Sequence, residues 1–382
     1  MPETCRVDDN ALLLLQNGTA YFPQLCADMD AAQHFIYLET YIFAADKTGL
    51  VVSQALQRAA KRGLTVRVLM DGFGSGELPQ HWIDEMRNAG VQVHLFRREL
   101  YRFKLRRHRL RRMHRKLVVL DGAIAYVGGI NIIDDATHNG NFTAPRFDFA
   151  VRAEGRVAGE IYTVMRRLWI AVSWARGKRM ERLIASRREA QPNIKVLLRD
   201  NLRHRREIER AYLTAITDAR FEVVIANAYF LPGGLFRRTL IQAAQRGVRV
   251  VLLLQGRVEH RLLHYATHAL YDKLLAAGIE IYEYQASFLH AKVAVVDGVW
   301  STVGSSNIDP FSLLLAREAN LVVTDAAFSE TLRGKLFLAI EHEALRIDNC
   351  NYLGWRARLF AKISYAFVRM IIGVLGYGKS RI

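Results

Sequence analysis

Cysteines, acidic residues and long apolar runs are all scarce in this chain of 382 residues. Its three cysteines, Cys5, Cys26 and Cys350, lie far apart and have neither zinc-ligand nor disulfide spacing, which favours a cytosol-facing protein. The N-terminus lacks a basic stretch followed by a long apolar run, and no stretch reaches the roughly 18 apolar residues of a spanning helix. Leu12–Leu15 is long enough only for a buried strand. If this protein meets a membrane, we expect it to lie on the surface.

The shortage of acids leaves a strongly basic protein. The chain has 54 Lys and Arg against 37 Asp and Glu, a formal charge of +17. So large an excess implies a polyanionic partner, either nucleic acid or a surface of acidic phospholipid. Charge alone does not choose between them. Since 51% of the residues are hydrophobic and the length suits two ordinary domains, a globular protein is expected.

The order of predicted elements repeats once along the chain. The first half has strands at Phe35–Phe43, Thr65–Met70 and Val91–Phe96, separated by helices and followed by a hairpin from His114 to Gly129. The second half repeats this with strands at Val223–Leu231, Val248–Leu254 and Ile279–Tyr284 and a hairpin from His290 to Gly304. Alternating strands and helices predict an α/β fold in each half, a β-sheet flanked by helices.

The duplication sets the expected domain boundaries. We predict a first domain over residues 1–172, a basic linker over 173–193, a second domain over 194–350 and a basic amphipathic segment over 351–382. One duplication at this length indicates two similar domains and not a solenoid, which needs three or more short repeats.

Each hairpin carries the same chemical pattern at the same intervals. The first has His114, Lys116, Asp121, Gly128 and Asn131 within HRKLVVLDGAIAYVGGIN, and the second has His290, Lys292, Asp297, Gly304 and Asn307 within HAKVAVVDGVWSTVGSSN. One HxKxxxxD match is weakly specific, but two copies that share the downstream glycine and asparagine are not chance. Residues two apart on a strand share a face, so each hairpin offers an imidazole beside a cation. Two such units facing one another would supply the nucleophile, the acid and the positive charge of phosphoryl transfer.

The carboxylates near the motifs divide into two groups. Asp121 and Asp297 belong to the candidate catalytic motif, but their odd offset of seven residues puts them on the opposite face, in an Asp-Gly turn, so a structural role is expected. An imidazole nucleophile also needs a carboxylate to fix its tautomer, which we expect on the next strand of the same half. Asp148, 34 residues after His114, and Glu318, 28 residues after His290, are these candidate orienting residues.

A metal site built on the two histidines is the alternative for this pattern. His-x-Lys, however, places a cation where a second ligand would stand. We therefore expect neither a metal nor another cofactor.

The motif segments resemble the phospholipase D superfamily and, within it, the bacterial cardiolipin synthases of the B type. The similarity also includes YLETYIF, IANAYFLPG and LMDGFGSGELP, and it runs from Leu13 to about Leu345. It implies two phospholipase D-like domains with the active site at their interface, and a phosphohistidine mechanism without a metal. By this resemblance His114 is the nucleophile and His290 the acid and base.

The resemblance also implies how the phosphate is held. The family positions that carry over, besides the two histidines, are Lys116, Lys292, Asn131, Ser305 and Asn307. The first motif has Gly129 where the second has Ser305, so one hydroxyl donor is missing from that side.

Two basic segments bear on the substrate. The first half has an insertion between Arg97 and Arg112 that leads into His114, and it holds Tyr101 and Phe103. It is either a solvated charge run or a guide for anions, with aromatics suited to lipid head groups or to nucleic-acid bases. In the tail, a helical wheel puts Leu359, Ile363, Ala366 and Met370 on one face and Arg358, Lys362 and Arg369 on the opposite one. Such a helix suits an anionic membrane; the alternative is that it covers the second domain's core.

These observations and the resemblance together imply a cardiolipin synthase. It would transfer a phosphatidyl group between two phosphatidylglycerol molecules, giving cardiolipin and glycerol, as a peripheral enzyme of a bacterial cell membrane. An anionic phospholipid membrane is the expected partner, and nucleic acid is not. A phospholipase D-type hydrolase or nuclease with water as acceptor stays open, as does a silent module that binds anionic surfaces. The intact duplicate motif argues against the silent module, and a nuclease would not need the amphipathic tail.

Overall fold

The computed structural model describes residues 4–97, 112–135, 144–175, 191–200, 204–310, 312, 316–348 and 355–372. Two of the expectations above fall largely on other residues. The body of the basic insertion, with Tyr101 and Phe103, lies outside the described residues, and so does most of the linker.

The first half forms one mixed sheet of eight strands. Its strands are β1 Thr4–Val7, β2 Asn10–Gln16, β3 Phe35–Thr40, β4 Thr65–Asp71, β5 Gln92–Phe96, β6 Leu117–Leu120, β7 Ile124–Gly128 and β8 Phe149–Gly155. Its helices are α1 Asn17–Ala31, α2 Lys47–Lys61, α3 Gln80–Asn88 and α4 Arg156–Trp174. The strand order is β1-β2-β8-β7-β6-β3-β4-β5, in which β3, β4 and β5 are parallel and all other neighbours are antiparallel.

The second half repeats this sheet with the order β16-β12-β11-β10-β13-β14-β15-β9. Its strands are β9 Ile194–Arg199, β10 Glu222–Asn227, β11 Arg249–Gln255, β12 Glu280–Tyr284, β13 Lys292–Val296, β14 Trp300–Gly304, β15 Glu318–Thr324 and β16 Ala344–Ile347. Its helices are α5 Glu207–Asp218, α6 Gly234–Gln245, α7 Arg261–His268, α8 Tyr271–Leu275, α9 Ala326–Glu343 and α10 Trp355–Ile372. The prediction of two similar α/β units, each a sheet flanked by helices, is confirmed.

Both faces of each sheet are buried. In β3, Ile36 and Leu38 pack in the core under α1 to α3, whereas Tyr37 between them belongs to a central core. This is the alternation of a strand that is covered on both sides. The central core contains Val127 and Val151 of the first sheet together with Val303 and Leu321 of the second, as well as parts of α4 and α9. The inner faces of the two sheets therefore meet across one shared core.

The two motif hairpins are β6–β7 and β13–β14, in the middle of their sheets. Asp121 and Gly122 turn the first with φ values of 52° and 70°, and Asp297 and Gly298 turn the second with 51° and 65°. Positive φ at both central positions defines the two-residue hairpin turn that Asp-Gly favours. The histidine and lysine of each motif lie at the other end of the hairpin, where the halves meet.

The C-terminal helix α10 has one face on the second half and one in solvent. Ala361, Ser364 and Val368 are buried against that half, whereas Leu359, Ile363, Ala366 and Met370 are exposed. The helical wheel was wrong in one respect. The face opposite the exposed apolar stripe is the buried face of Ala361, Ser364 and Val368, and the cations Arg358, Lys362 and Arg369 lie between these two faces. Small residues there let the helix approach closely. None of the helices in the described ranges is long and apolar enough to span a membrane.

Candidate active site

Backbone hydrogen bonds between the halves position the motif residues. His114 N donates to Arg317 O at 2.9 Å, and Arg317 N donates to Arg112 O at 2.7 Å. His290 N donates to Phe147 O at 2.9 Å in the equivalent place. The chain that leads into β6 therefore pairs with the chain that leads into β15, and the chain before β13 pairs with the chain before β8.

This pairing crosses the two histidine–carboxylate contacts. His114 Nδ1 lies 3.0 Å from both carboxylate oxygens of Glu318, and His290 Nδ1 lies 2.6 Å from Asp148 Oδ2. The expectation that each carboxylate serves the histidine of its own half was wrong. The reason is the backbone pairing, which sets the residue before each carboxylate, Arg317 or Phe147, beside the motif of the other half.

The crossed contacts leave one ring nitrogen of each histidine for chemistry. Because a carboxylate accepts a hydrogen bond from Nδ1–H, the neutral ring keeps its lone pair on Nε2. Burial lowers the pKa of His114, and the nearby lysines act in the same direction while Glu318 opposes them. Burial and Lys292 hold the pKa of His290 well below its ordinary value. Both shifts favour the neutral imidazole, whose unprotonated Nε2 is a nucleophile.

Two buried lysines accompany the histidines. Lys116 Nζ donates to its neighbour His114 O at 2.8 Å, and Lys292 Nζ donates to His290 O. Burial lowers the pKa of Lys116 to about 7 and that of Lys292 to about 8, against the pull of the carboxylates. Burial also raises the pKa of Asp148 to about 6. The site thus concentrates positive charge that is poorly solvated, which an anionic phosphate would compensate.

The two halves of the site differ beside the orienting carboxylates. Ser305 Oγ donates to Glu318 Oε2 at 2.6 Å and accepts from Ala319 N at 3.0 Å. At the equivalent Gly129, a Cβ would stand 2.3 Å from Asp148 Oδ1, so a serine does not fit there. The hydroxyl of Ser305, expected on the phosphate, contacts the carboxylate that holds His114. Its absence at Gly129 makes room for the carboxylate that holds His290.

The two motif asparagines follow equivalent strands, Asn131 after β7 and Asn307 after β14, and both are buried. Asn131 is 5% exposed and Asn307 is 3% exposed. Asn131 Oδ1 accepts a hydrogen bond from Ile42 N at 3.2 Å, which fixes the orientation of the amide and leaves its NH₂ as the donor. An amide held in this way suits a phosphate oxygen.

The structure does not bring the two motif aspartates to this site. The carboxylate of Asp121 accepts from the N–H groups of Gln33, His34 and Phe35. That of Asp297 accepts from the same three positions in the second half, beginning at Arg220 N. Although burial acts the other way, these N–H groups lower the pKa of both carboxyls. The aspartates tie each hairpin turn to the start of the neighbouring strand.

Sequence reasoning missed several residues at the site. The Tyr41 ring meets the His114 ring edge-on with centroids 4.8 Å apart, and the buried Asp71 accepts from Met113 N at 2.9 Å. On the other side Arg146 lies 3.3 Å from Glu259, which also accepts from Tyr229 OH at 2.6 Å. Tyr41 and Tyr229 do not occupy matching places: Phe43 bridges Ile132 as Phe230 bridges Ile308, which aligns Tyr41 with Ala228. Aligning the two halves would therefore not have paired these tyrosines.

None of the described residues forms a group of three or more His, Cys, Asp or Glu side chains that could hold a metal ion. Lys116 and Lys292 bring positive charge to the site. The arrangement is therefore two imidazoles, two carboxylates and two lysines brought together where the halves meet.

A family model and two bacterial relatives match most of this chain. A family model described as cardiolipin synthase, PLD-like domain, matches residues 25–151 and 212–336, and each segment contains one motif. Cardiolipin synthase B of Escherichia coli (strain K12) is 38% identical over 352 residues, which cover 89% of this chain and 83% of the relative. The cardiolipin synthase of Geobacillus kaustophilus (strain HTA426) is 31% identical over 317 residues, covering 82% of this chain and 63% of the relative.

Solved structures share the fold at low sequence identity. The phosphatidylserine synthase of Haemophilus influenzae Rd KW20 matches with a TM-score of 0.71 and 13% identity, over 97% of this chain and 95% of that one. Polyphosphate kinase from Porphyromonas gingivalis matches with a TM-score of 0.59 and 14% identity, over 96% of this chain and 53% of that one. With both motifs inside the matched segments, the chain belongs to the cardiolipin synthase family of proteins with PLD-like domains.

Proposed function

We propose that this protein is a cardiolipin synthase that transfers a phosphatidyl group from one phosphatidylglycerol to a glycerol hydroxyl of another. Cardiolipin and glycerol are the products. The observation that carries the proposal is the crossed pair of histidines, each held at Nδ1 by a carboxylate of the other half, beside two buried lysines. Membership of the cardiolipin synthase family supports the same reaction and the choice of lipid.

In the first half-reaction, Nε2 of His114 attacks the phosphorus of the donor lipid. An N–P bond forms as the bond from phosphorus to the glycerol oxygen breaks, and Nε2–H of His290 gives that oxygen its proton. Burial favours the neutral form of His290, whereas the negative phosphodiester favours its protonated form when substrate binds. Lys116 and Lys292 stabilise the charge on the non-bridging oxygens.

In the second half-reaction, the hydroxyl of the acceptor lipid gives its proton to Nε2 of His290 and attacks phosphorus. The N–P bond breaks and His114 returns to its neutral form. Donor and acceptor thus yield one cardiolipin and one glycerol, with no net change in the enzyme. Asn131 and Asn307 hold phosphate oxygens through their amide NH₂ groups in both steps.

The membrane attachment rests on α10. Leu359, Ile363 and Met370 are 52%, 56% and 57% exposed, and Phe360 and Phe367 extend the same exposed apolar surface. Lys362 lies exposed at its flank. An apolar helix face with adjacent cations binds in the interface of an anionic bilayer, where each cation contributes about 1 kcal/mol. We assign the protein to the bacterial cell membrane as a peripheral enzyme on this basis.

The reaction is tested by incubating purified protein with phosphatidylglycerol in mixed micelles and identifying the lipid products by mass. Cardiolipin is expected from the native chain, and His114→Ala should give none. Phosphatidic acid as the main product would indicate a hydrolase that uses water. No product at all would favour a binding module without catalysis.

The attachment is tested by sedimentation with vesicles rich in phosphatidylglycerol. The double variant Leu359→Glu with Ile363→Glu should stay in the supernatant, because it puts two charges on the inserting face. Leu338→Glu is the matched control, since Leu338 on α9 is 58% exposed but lies away from α10. Equal sedimentation of all variants would contradict the role given to α10. Point substitutions are preferable to truncation, because removing α10 would uncover the surface that Val368 covers.

A further inference from the structure

The surroundings of His290 and His114 differ more than the two motifs do. Two residues before the orienting carboxylates, the first half has Arg146 and the second has Ala316. This gives the His290 side a cation that the His114 side lacks at the matching position. Such an asymmetry is what a reaction needs when one histidine bonds phosphorus and the other serves an alcohol.

A cavity lies beside His290, with about 280 Å³ of space when its open mouth is included. Its polar lining consists of Asn131, Asp135, Arg146, Asp148 and His290, and its apolar lining of Ile42, Ile130 and Ile133. The polar part of this lining suits a group that carries hydroxyls.

Two charged side chains of this cavity have no part in the mechanism above. Asp135 is held by Gly18 N, which donates to its Oδ2 at 2.6 Å, and burial raises the pKa of this carboxyl to about 7. Arg146 is held by Glu259 and by Phe288, whose ring centroid lies 5.3 Å from the guanidinium carbon. One carboxyl group and one guanidinium are thus fixed in place on the wall of a cavity that borders His290.

We infer that this cavity is a polyol subsite, in which Asp135 accepts and Arg146 donates hydrogen bonds to the free hydroxyls of the alcohol. It would hold the glycerol that leaves in the first half-reaction and the glycerol head group that enters in the second. The inference rests on the proposed transfer reaction and adds the group that recognises the alcohol. Because the subsite borders His290, it also makes His290 the acid and base and leaves the phosphatidyl group on His114.

The test is a competition between two acceptors that differ only in their extra hydroxyls. Native protein is given a phosphatidylglycerol donor with either deuterated glycerol or propan-1-ol, and labelled phosphatidylglycerol or phosphatidylpropanol is measured by mass. The ratio of kcat/KM for glycerol to that for propan-1-ol isolates recognition of the hydroxyls from any general damage to the chemistry. This ratio should fall about 10- to 100-fold in Asp135→Ala and in Arg146→Gln, the effect of losing a hydrogen bond to a charged group.

Asp134→Ala is the matched control, since it makes the same change one residue away and Asp134 does not line the cavity. It should keep the native ratio. If Asp135→Ala fails to fold because Gly18 N loses its acceptor, Asp135→Asn and Arg146→Gln carry the same test. An unchanged ratio in the folded variants overturns the subsite. Native protein that transfers to neither alcohol, and forms no cardiolipin, would overturn the proposed function instead.

Discussion

The crossed carboxylates predict a large and specific effect for Glu318→Gln. Ser305 Oγ accepts from Ala319 N, so its own hydrogen points to Glu318 Oε2 at 2.6 Å. In the variant, this hydroxyl favours the oxygen of the new side-chain amide as its acceptor and turns the amide NH₂ toward His114. The NH₂ then donates to Nδ1, and the ring must carry its hydrogen on Nε2, where the nucleophilic lone pair should be.

The size of the effect follows from the change of tautomer. The corresponding change of carboxylate to amide in a serine-protease triad lowers kcat by about 10⁴. Here both carboxylate oxygens lie 3.0 Å from Nδ1, so a similar loss is expected. A fall in kcat of about 10³ to 10⁴ corresponds to roughly 4–5.5 kcal/mol in the barrier.

Formation of cardiolipin from phosphatidylglycerol in mixed micelles measures the rate, and ¹⁵N-histidine NMR measures the tautomer. Glu283→Gln is the matched control, because Glu283 is also buried and pairs with a histidine, His268, at 2.9 Å, but away from the motifs. It should keep activity within a few-fold. A Glu318→Gln protein that retains a tenth of native activity, or a change of tautomer at His290 in place of His114, would refute the crossed assignment.

Three further predictions concern the motif residues. His114→Ala and His290→Ala should each remove turnover almost completely. The double variant should be no less active than either, because nucleophile and acid act as one unit. Cardiolipin assays of all three variants check this. The kcat/KM for a short-chain phosphodiester should fall as pH rises through about 7 to 8. The reason is that Lys116 and Lys292 are charged only below their pKa values of about 7 and 8. A flat pH profile over that range would contradict their role. Asp297→Asn should lower the free energy of unfolding by about 1–3 kcal/mol, because it weakens three backbone contacts, while the folded protein keeps its activity; normal denaturant unfolding with lost activity would contradict the structural role.

The fold was predictable because the same order of strands and helices is repeated in the two halves of the sequence. The strands expected at Val248–Leu254 and Thr65–Met70 are β11 and β4, and their observed ends differ from the expected ones by at most one residue. Apolar runs of this length, bounded by glycine turns, are typical of strands buried on both faces. The Asp-Gly turns were predictable for the same local reason, since few residues besides glycine, aspartate and asparagine adopt positive φ.

What the sequence did not predict depends on contacts between the halves. Periodicity places Asp148 and Glu318 near the ends of strands, but it does not say which half's histidine they will meet. Arg146 and Asp135 lie in a stretch with no counterpart motif in the second half, so neither the repeat nor the resemblance pointed to them. On α10, the wheel identified the exposed apolar stripe but not the buried one, because Ala361 and Ser364 are too small and too polar to register as a hydrophobic face.

The crossed contacts make the site depend on both halves of the chain. A first half alone would hold His114 without Glu318, and Asp148 without His290, so each would lose the partner that offsets its burial. A buried carboxylate or lysine without a partner is strongly unfavourable and is neutralised or exposed to water. The site therefore forms only when the inner faces of the two sheets pack, in the core that Val127 and Val151 share with Val303 and Leu321. We therefore expect packing of the shared core and alignment of the motif groups to be one event, and we expect neither half to form the crossed contacts on its own.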